Sequence, residues 1–370
     1  MKKVLYVATV DSHIKAFHLP YLKLLKDMGY EVHVATNGDD IFPNCDVKHK
    51  ICIERSPFKL NNLKAIKQLK KIIDKEKFDL IHCHTPMGSV VTRLAAKHAR
   101  KKYGTRVLYT AHGFHFYIGA PKLNWMLFYP IEKYLAKYTD TLITINKEDY
   151  ELAKKKFSKR CKNIQYVPGV GIDTKKFNIK LSEKEKNDLR KSLGLKKEDY
   201  VLICVARLDK NKNQGFLIEC LKELVKGNEN IHLLLAGRDE LNGRYQRLAE
   251  KYNIIDNVHF LGNRDDIPKL LKISNIVVSA SKREGLPVNV MESFAAGIPV
   301  VALRCRGMDN LIINKKNGFV VENKEEYINS IKLLLNNKNY ILDIKNNNCK
   351  KALYYSIKSI CKKIETIYFK

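Results

Sequence analysis

The sequence predicts an α/β protein of two doubly wound, Rossmann-like domains. Three observations predict it. Short apolar runs alternate with helical patterns along the whole chain, the mark of parallel strands joined by crossover helices. The pattern breaks once, at Pro168-Gly169-Val170-Gly171-Ile172-Asp173, and then starts again. The length of 370 residues exceeds the ~250–300 at which a single core stops growing.

In the first half the strand-like runs are Val4 to Thr9, Val32 to Ala35, Leu80 to Cys83, Val107 to Thr110, Leu142 to Ile145 and Ile164 to Val167. Helical spacing falls between them at Tyr21 to Met28, Leu63 to Ile73 and Val90 to His98. After the break a polar helix, Ser182 to Leu193, precedes the second series. Its strands are Val201 to Val205, His232 to Ala236, Val258 to Leu261, Ile276 to Ala280, Pro299 to Leu303 and Gly318 to Val321. The expected division is 1–172, 173–339 and a tail of helices, 340–370.

Ligands of doubly wound sheets sit at the carboxyl ends of strands, and the chemistry-bearing residues cluster there. After Ile276 to Ala280 comes Lys282-Arg283-Glu284-Gly285-Leu286-Pro287, a turn. A helix from Asn289 to Ala296 follows, stopped by Gly297 and Pro299. A helix N-terminus suits a phosphate, and Glu284 and Glu292 flank it as acceptors for sugar hydroxyls. Arg207 and Lys212 follow Val201 to Val205. Arginine can grip a phosphate with two hydrogen bonds and lysine acts as a point charge. The alternative is that both are solvated loop charges. His112 follows Val107 to Thr110, with His115 available nearby, and Asn146 follows Leu142 to Ile145. Gly262 and Arg264 sit in a loop after Val258 to Leu261 that could cup a nucleobase. Gly237-Arg238-Asp239 is a phosphate contact or a turn.

Glu-Gly-Leu-Pro with seven residues between Glu284 and Glu292 resembles the signature of the family 4 retaining glycosyltransferases, which have the GT-B architecture of two facing Rossmann-like domains with the substrate cleft between them. Val205 to Gln214 resembles their diphosphate-binding segment and Thr110 to Tyr117 their histidine segment. With Asn124 to Tyr150, the likeness is to the branch that builds bacterial capsular and exopolysaccharide units. It implies transfer of a hexose or N-acetylhexosamine from a nucleoside diphosphate, UDP by preference, to a polyprenyl-diphosphate-linked saccharide. By resemblance Glu292 holds the ribose, while Glu284 meets the transferred sugar with backbone groups of Gly285 and Leu286. His112 supports the reacting carbon, and Arg207 and Lys212 stabilise the leaving diphosphate. No metal and no cofactor are implied. The chain departs from the family after its first strand, where Thr9 to Ile14 replaces a Gly-Gly loop; Asp11, Ser12, His13 or His18 are then candidates to face the acceptor. It departs again at Arg304 to Asp309, where Arg306 is a further candidate cation. The tail is expected to pack back on the N-terminal domain.

Lys and Arg number 68 against 39 Asp and Glu, a formal net charge of +29. Such an excess attracts something anionic: nucleic acid, phosphorylated substrates or acidic lipid. Lysines crowd Lys64 to Lys77, Lys97 to Lys102 and Lys154 to Arg160, and aromatics crowd Phe114 to Tyr129. They are read as solvated faces and core or as an acceptor-side surface on anionic lipid, with Trp125 and Phe128 touching it. Met1-Lys2-Lys3 before Val4 to Val10 imitates a signal peptide, but Asp11 ends the run early. No run approaches the ~20 apolar residues of a membrane span, so a cytoplasmic protein peripheral on the inner membrane face is expected. Nine scattered cysteines indicate neither disulfide framework nor zinc cluster. Two other functions fit less of the sequence: a UDP-N-acetylglucosamine 2-epimerase on the same fold, and a nucleic-acid-binding protein, for which no motif is evident.

Overall fold

The computed structural model describes residues 1–227 and 229–369. The chain forms two compact units, one of Met1–Gly171 joined by the terminal helix Ile357–Phe369, the other Ile172–Ser356.

The N-terminal unit is built on a parallel sheet of seven strands: β1 (Lys3–Val10), β2 (Glu31–Asn37), β3 (Val47–Lys50), β4 (Leu80–His84), β5 (Arg106–Ala111), β6 (Thr141–Thr144) and β7 (Asn163–Tyr166). Their order is β3-β2-β1-β4-β5-β6-β7. The apolar runs form strands because both faces are covered, so successive side chains go to opposite cores. Leu5 and Val7 join one buried cluster with Ile81, Val107 and Leu142, while Val4, Tyr6 and Ala8 join another on the opposite face. That second face is closed by Ile357–Phe369, whose Ile360, Ile364 and Ile367 recur at helical spacing.

The C-terminal unit has six parallel strands: β8 (Tyr200–Val205), β9 (Ile231–Ala236), β10 (Val258–Gly262), β11 (Ile276–Ser279), β12 (Val300–Leu303) and β13 (Gly318–Val321). The order is β10-β9-β8-β11-β12-β13. In both sheets the chain winds outward from a central strand, returns, and winds the other way. This puts a topological switch point between β1 and β4 and another between β8 and β11, where such sheets bind ligands.

The structure adds two elements to the sequence reading and corrects the path of the tail. The polar segment Val47–Lys50 forms edge strand β3, which its sequence Val-Lys-His-Lys conceals because an edge needs no continuous apolar run. Thr9 to Ile14, which stands where the family has a Gly-Gly loop, runs from the end of β1 into helix Asp11–Phe17. The tail from 340 does not pack on the N-terminal unit as a whole. Helix Lys338–Tyr354 lies against helix Val288–Ala296, with the Asn348 amide donating to the Ile298 carbonyl at 2.9 Å. Only Ile357–Phe369 belongs to the N-terminal unit. Among the described residues no helix is long and apolar enough to cross a membrane.

Candidate active site

In the C-terminal unit the loops after β8 and β11 are laced together at the switch point. Lys282 N–H donates to the Asn211 carbonyl at 2.8 Å, and the Asn211 amide donates to the Arg283 carbonyl at 3.1 Å. Asp209 accepts from the N–H groups of Asn211 and Lys212 at 2.9 and 2.8 Å, turning the first loop tightly. The lacing brings Lys212 and Glu284 together, 2.6 Å from ammonium to carboxylate, both largely buried. Gly307 crosses just above this turn with φ +91°; a Cβ there would stand 2.8 Å from the Gly285 carbonyl oxygen. Only glycine fits that crossing. Arg207 stays outside the pair. Its side chain is 60% exposed and ion-paired at 3.5 Å to both Asp209 and Glu240, long contacts that an incoming anion can replace.

Helix Val288–Ala296 starts beside this pair, and the Asn289 side chain ties it to β8 by donating to the Val205 carbonyl at 3.0 Å. Glu292 is the fifth residue of that helix, past the first turn, so its carboxylate is not a cap for the helix N-terminus. Burial pushes the Glu292 carboxyl up to about 7, against a smaller downward pull from Lys176. Among the described residues no hydrogen bond or ion pair holds it, which leaves both oxygens for a ligand. Gly262 ends β10 with φ +62°, its carbonyl accepting from Gly237 N–H at 2.8 Å. Arg264 is committed locally, in a two-bond fork to Asp266 at 2.8 and 2.7 Å, and so differs from the phosphate-ready Arg207. Leu286 is buried, so only its backbone and that of Gly285 can meet a sugar.

The switch point of the N-terminal unit gathers histidines. His112 follows β5, His84 ends β4, His13 lies on helix Asp11–Phe17 after β1, and His18 is the turn residue between that helix and Leu19–Asp27. The His112 Nε2 lies 3.4 Å from His13 Nε2 and 3.3 Å from His84 Nδ1. Burial drives the His112, His84 and His18 imidazoles well below their usual pKa and takes His13 down to about 4, the neighbouring charges adding to it. All four are therefore uncharged at neutral pH. Beneath them His82 bonds Tyr368 and Thr110, both at 2.8 Å. Beside His84, Thr85 has φ 63° and ψ 151°, a conformation strained for any residue with a Cβ. Hydrogen bonds from Thr9 to the Thr85 hydroxyl, 3.1 and 2.7 Å long, hold it there.

Next to this cluster opens a cavity of about 650 Å³. Its lining is mostly apolar, including Phe17, Phe58, Phe116, Leu127 and Ile131, with Ser12, His13, Arg55 and His115 as polar points. Its floor carries Glu132, which holds the buried Arg93 at 2.9 Å. Around it the apolar surface continues outward: Phe58, Leu60 and Leu63 on one segment, and Leu123, Met126, Leu127, Ile131 and Tyr134 on helix Lys122–Leu135.

Ser12 and His13 thus face this cavity, whereas two other candidates for the acceptor side do not. Asp11 is buried and bound to Thr36, to Asp40 N–H at 2.9 Å and to Lys48 at 3.1 Å. Burial alone would raise its carboxyl, but those three partners together hold it below the ordinary range. His18 is 2% exposed, a buried member of the cluster that does not line the cavity. Trp125 is corrected as well: it packs on the core side of its helix, while Phe128 packs there and also lines the cavity, and the exposed face is formed by Leu123, Met126, Leu127, Ile131 and Tyr134. His84, Thr85 and Arg55 were missed by sequence reasoning. His84 carried a signal, His-x-His at the end of an apolar run, which places both imidazoles on one face of a strand. Arg55 carried none.

Two family profiles match the chain in order: Glycosyl transferase 4-like over residues 3–146, and Glycosyl transferases group 1 over residues 185–352. A Bacillus subtilis (strain 168) protein, EpsD, whose name carries a provisional glycosyltransferase assignment, is 46% identical over 321 residues, 87% of this chain and 84% of that one. The Escherichia coli UDP-Gal:alpha-D-GlcNAc-diphosphoundecaprenol alpha-1,3-galactosyltransferase is 28% identical over 314 residues, 83% of this chain and 79% of that one. Among solved structures, Anabaena HepE in complex with UDP and glucose matches with a TM-score of 0.79 at 20% identity over 100% of both chains, a likeness of fold. With both halves matched and close identity across most of a relative, the chain belongs to the family 4-like glycosyltransferases of the GT-B fold class.

Proposed function

We propose that the protein moves a hexose or N-acetylhexosamine from a UDP-sugar to a polyprenyl-diphosphate-linked saccharide, with retention at the anomeric carbon. The observation that carries the reading is the switch point of the C-terminal unit, where Lys212 and Glu284 pair, the helix carrying the unpartnered Glu292 begins, and the exposed Arg207 is held only by 3.5 Å contacts to Asp209 and Glu240. Breaking a sugar–phosphate bond builds negative charge on the leaving diphosphate. Cations fixed there stabilise the transition state more than the ground state. Lys212 shared between Glu284 and a phosphate, joined by Arg207, supplies that charge without a metal at the diphosphate. Glu292 accepts from the ribose diol and Glu284 from hydroxyls of the transferred sugar. With retention, the departing phosphate oxygen takes the acceptor's proton, so no protein base is required.

The N-terminal unit supplies the acceptor side and, through His112, an uncharged imidazole for the transferred sugar. Its cavity fits an amphiphile: apolar walls for isoprene units, and Arg55 with His13 and His115 for an anionic headgroup. The outward aliphatic face of helix Lys122–Leu135, flanked by Lys122, Lys133 and Lys137, suits an anionic membrane surface. The E. coli relative's acceptor, a diphosphoundecaprenol-linked sugar by its name, is of this class.

A thermal-shift series with UDP, GDP, ADP and their sugars tests the donor. Binding to the folded state raises stability by mass action, about 2.7 kcal/mol at a hundredfold excess over Kd. UDP and its sugars should raise Tm, and a rise with GDP or ADP alone would overturn the nucleotide assignment.

A further inference from the structure

The histidine cluster of the N-terminal unit is larger than one sugar-facing imidazole requires. His13, His18, His84 and His112 each offer one nitrogen, and these four atoms all lie within 4.8 Å of one another. Both ring nitrogens of His18 and Nε2 of His84 are buried without a hydrogen-bond partner among the described residues. Each such orphan costs ~1–3 kcal/mol and calls for an explanation; an ion bound by one His18 nitrogen and by His84 Nδ1 answers for one of the three. Hydrogen bonding within the cluster does not provide one. His112 Nε2 has two nitrogen neighbours, at 3.4 and 3.3 Å, but carries a single lone pair or a single proton for them.

We infer that His13, His18, His84 and His112 form a binding site for one divalent transition-metal ion of the zinc type. Zinc takes four ligands tetrahedrally at Zn–N distances of ~2.0–2.1 Å, which sets the nitrogen–nitrogen edge at about 3.3–3.4 Å. The two edges at His112 already have that length. The others lie within 4.8 Å and have to shorten on binding. Imidazole-only donors select zinc, copper, nickel or iron over magnesium and calcium, which want oxygen. The void that His18, His84 and His112 line together with Tyr6, His82 and Ile143 measures about 20 Å³, room for one water, and His13 does not line it. His13 lines the large cavity, giving an ion a way in. Among the described residues the outer nitrogen of His84 has no partner to orient it, and outer partners contribute about 10–100-fold in affinity. A micromolar site is expected rather than a permanent structural one.

The consequence for activity rests on the function proposed above. An ion bound to His112 Nε2 removes that imidazole from the transferred sugar, so zinc should inhibit transfer. The binding test needs no activity, so its failure is separate from any failure of the transferase reading.

The metal-free protein is titrated with Zn²⁺ against a chromophoric chelator and with Co²⁺ followed in the visible. One equivalent should bind with micromolar affinity, and Co²⁺ should give the intense bands of tetrahedral nitrogen ligation. His18→Gln and His84→Gln should each weaken binding at least about tenfold. His49→Gln and His259→Gln, which remove one member of the imidazole pairs His33–His49 (2.9 Å) and His232–His259 (3.0 Å), should leave it unchanged. No binding by the folded wild type, binding untouched by the first two variants, or binding lost in the control variants would overturn the site, the orphan nitrogens then belonging to buried water. If the cluster variants do not fold, the wild-type Co²⁺ spectrum decides: bands of six-coordinate ligation overturn the proposal.

Discussion

Glu292 shows how a single carboxyl can be held against its own stability. Burial raises its pKa from 4.5 to about 7, so the folded state keeps the proton to higher pH than the unfolded chain does. The stabilising effect is full below pH 4.5, fades between 4.5 and 7, and leaves a cost above pH 7 of up to about 3 kcal/mol. Glu292→Gln should therefore raise Tm at pH 8 and change it little at pH 5, while weakening UDP about ten- to hundredfold through the lost charged acceptor. Denaturation at both pH values, with a UDP titration, checks it; equal Tm changes at the two pH values would show that the carboxyl is not buried uncharged. Lys212 differs in kind, because its partner Glu284 is already in place 2.6 Å away. Lys212→Ala should lower kcat ~10²–10³-fold and KM for the donor far less. A change in KM alone would assign Lys212 to ground-state binding. At this scale the sequence was legible wherever a residue follows a strand at a crossover, as Lys212, Glu284 and His112 do. It was silent on Arg55, brought to the cavity by an irregular loop, and misleading on Asp11, whose carboxylate is consumed by Thr36, Asp40 and Lys48.

At the scale of elements, helix Lys122–Leu135 is apolar on both sides. Trp125, Phe128 and Tyr129 pack on the core, while Leu123, Met126, Leu127, Ile131 and Tyr134 share the opposite face, exposed. A surface helix ordinarily keeps that second face polar. Replacing Leu123, Met126 and Ile131 by Ser should leave Tm nearly unchanged and sharply reduce flotation with anionic liposomes. Trp125→Ser should instead lower Tm. Flotation that survives the triple change, or is equal on neutral and anionic vesicles, would contradict membrane docking through this face. The aromatics were legible but not their direction, since a helix apolar on two opposite faces has little periodicity to read. Edge strand β3 escaped for the related reason that an exposed edge tolerates lysine.

For the molecule as a whole, two sheets wound by one rule each place their chemistry at a single crossover. In the C-terminal unit that crossover collects carboxylates and cations, and in the N-terminal unit uncharged imidazoles beside an apolar cavity. The division into two such sheets was readable because parallel strands buried on both faces are continuous apolar runs. The path of the tail was not, because the helices after 340 carry no signal for which unit they will cover. The central claim is transfer with retention and without a metal at the diphosphate. The most direct test incubates the protein, in EDTA, with an α-linked UDP-sugar panel and a polyprenyl-diphosphate-linked saccharide, and reads the new linkage by NMR. The account predicts an α-linked product formed in EDTA. A β-linked product, or transfer that stops in EDTA and returns with Mg²⁺, would contradict it.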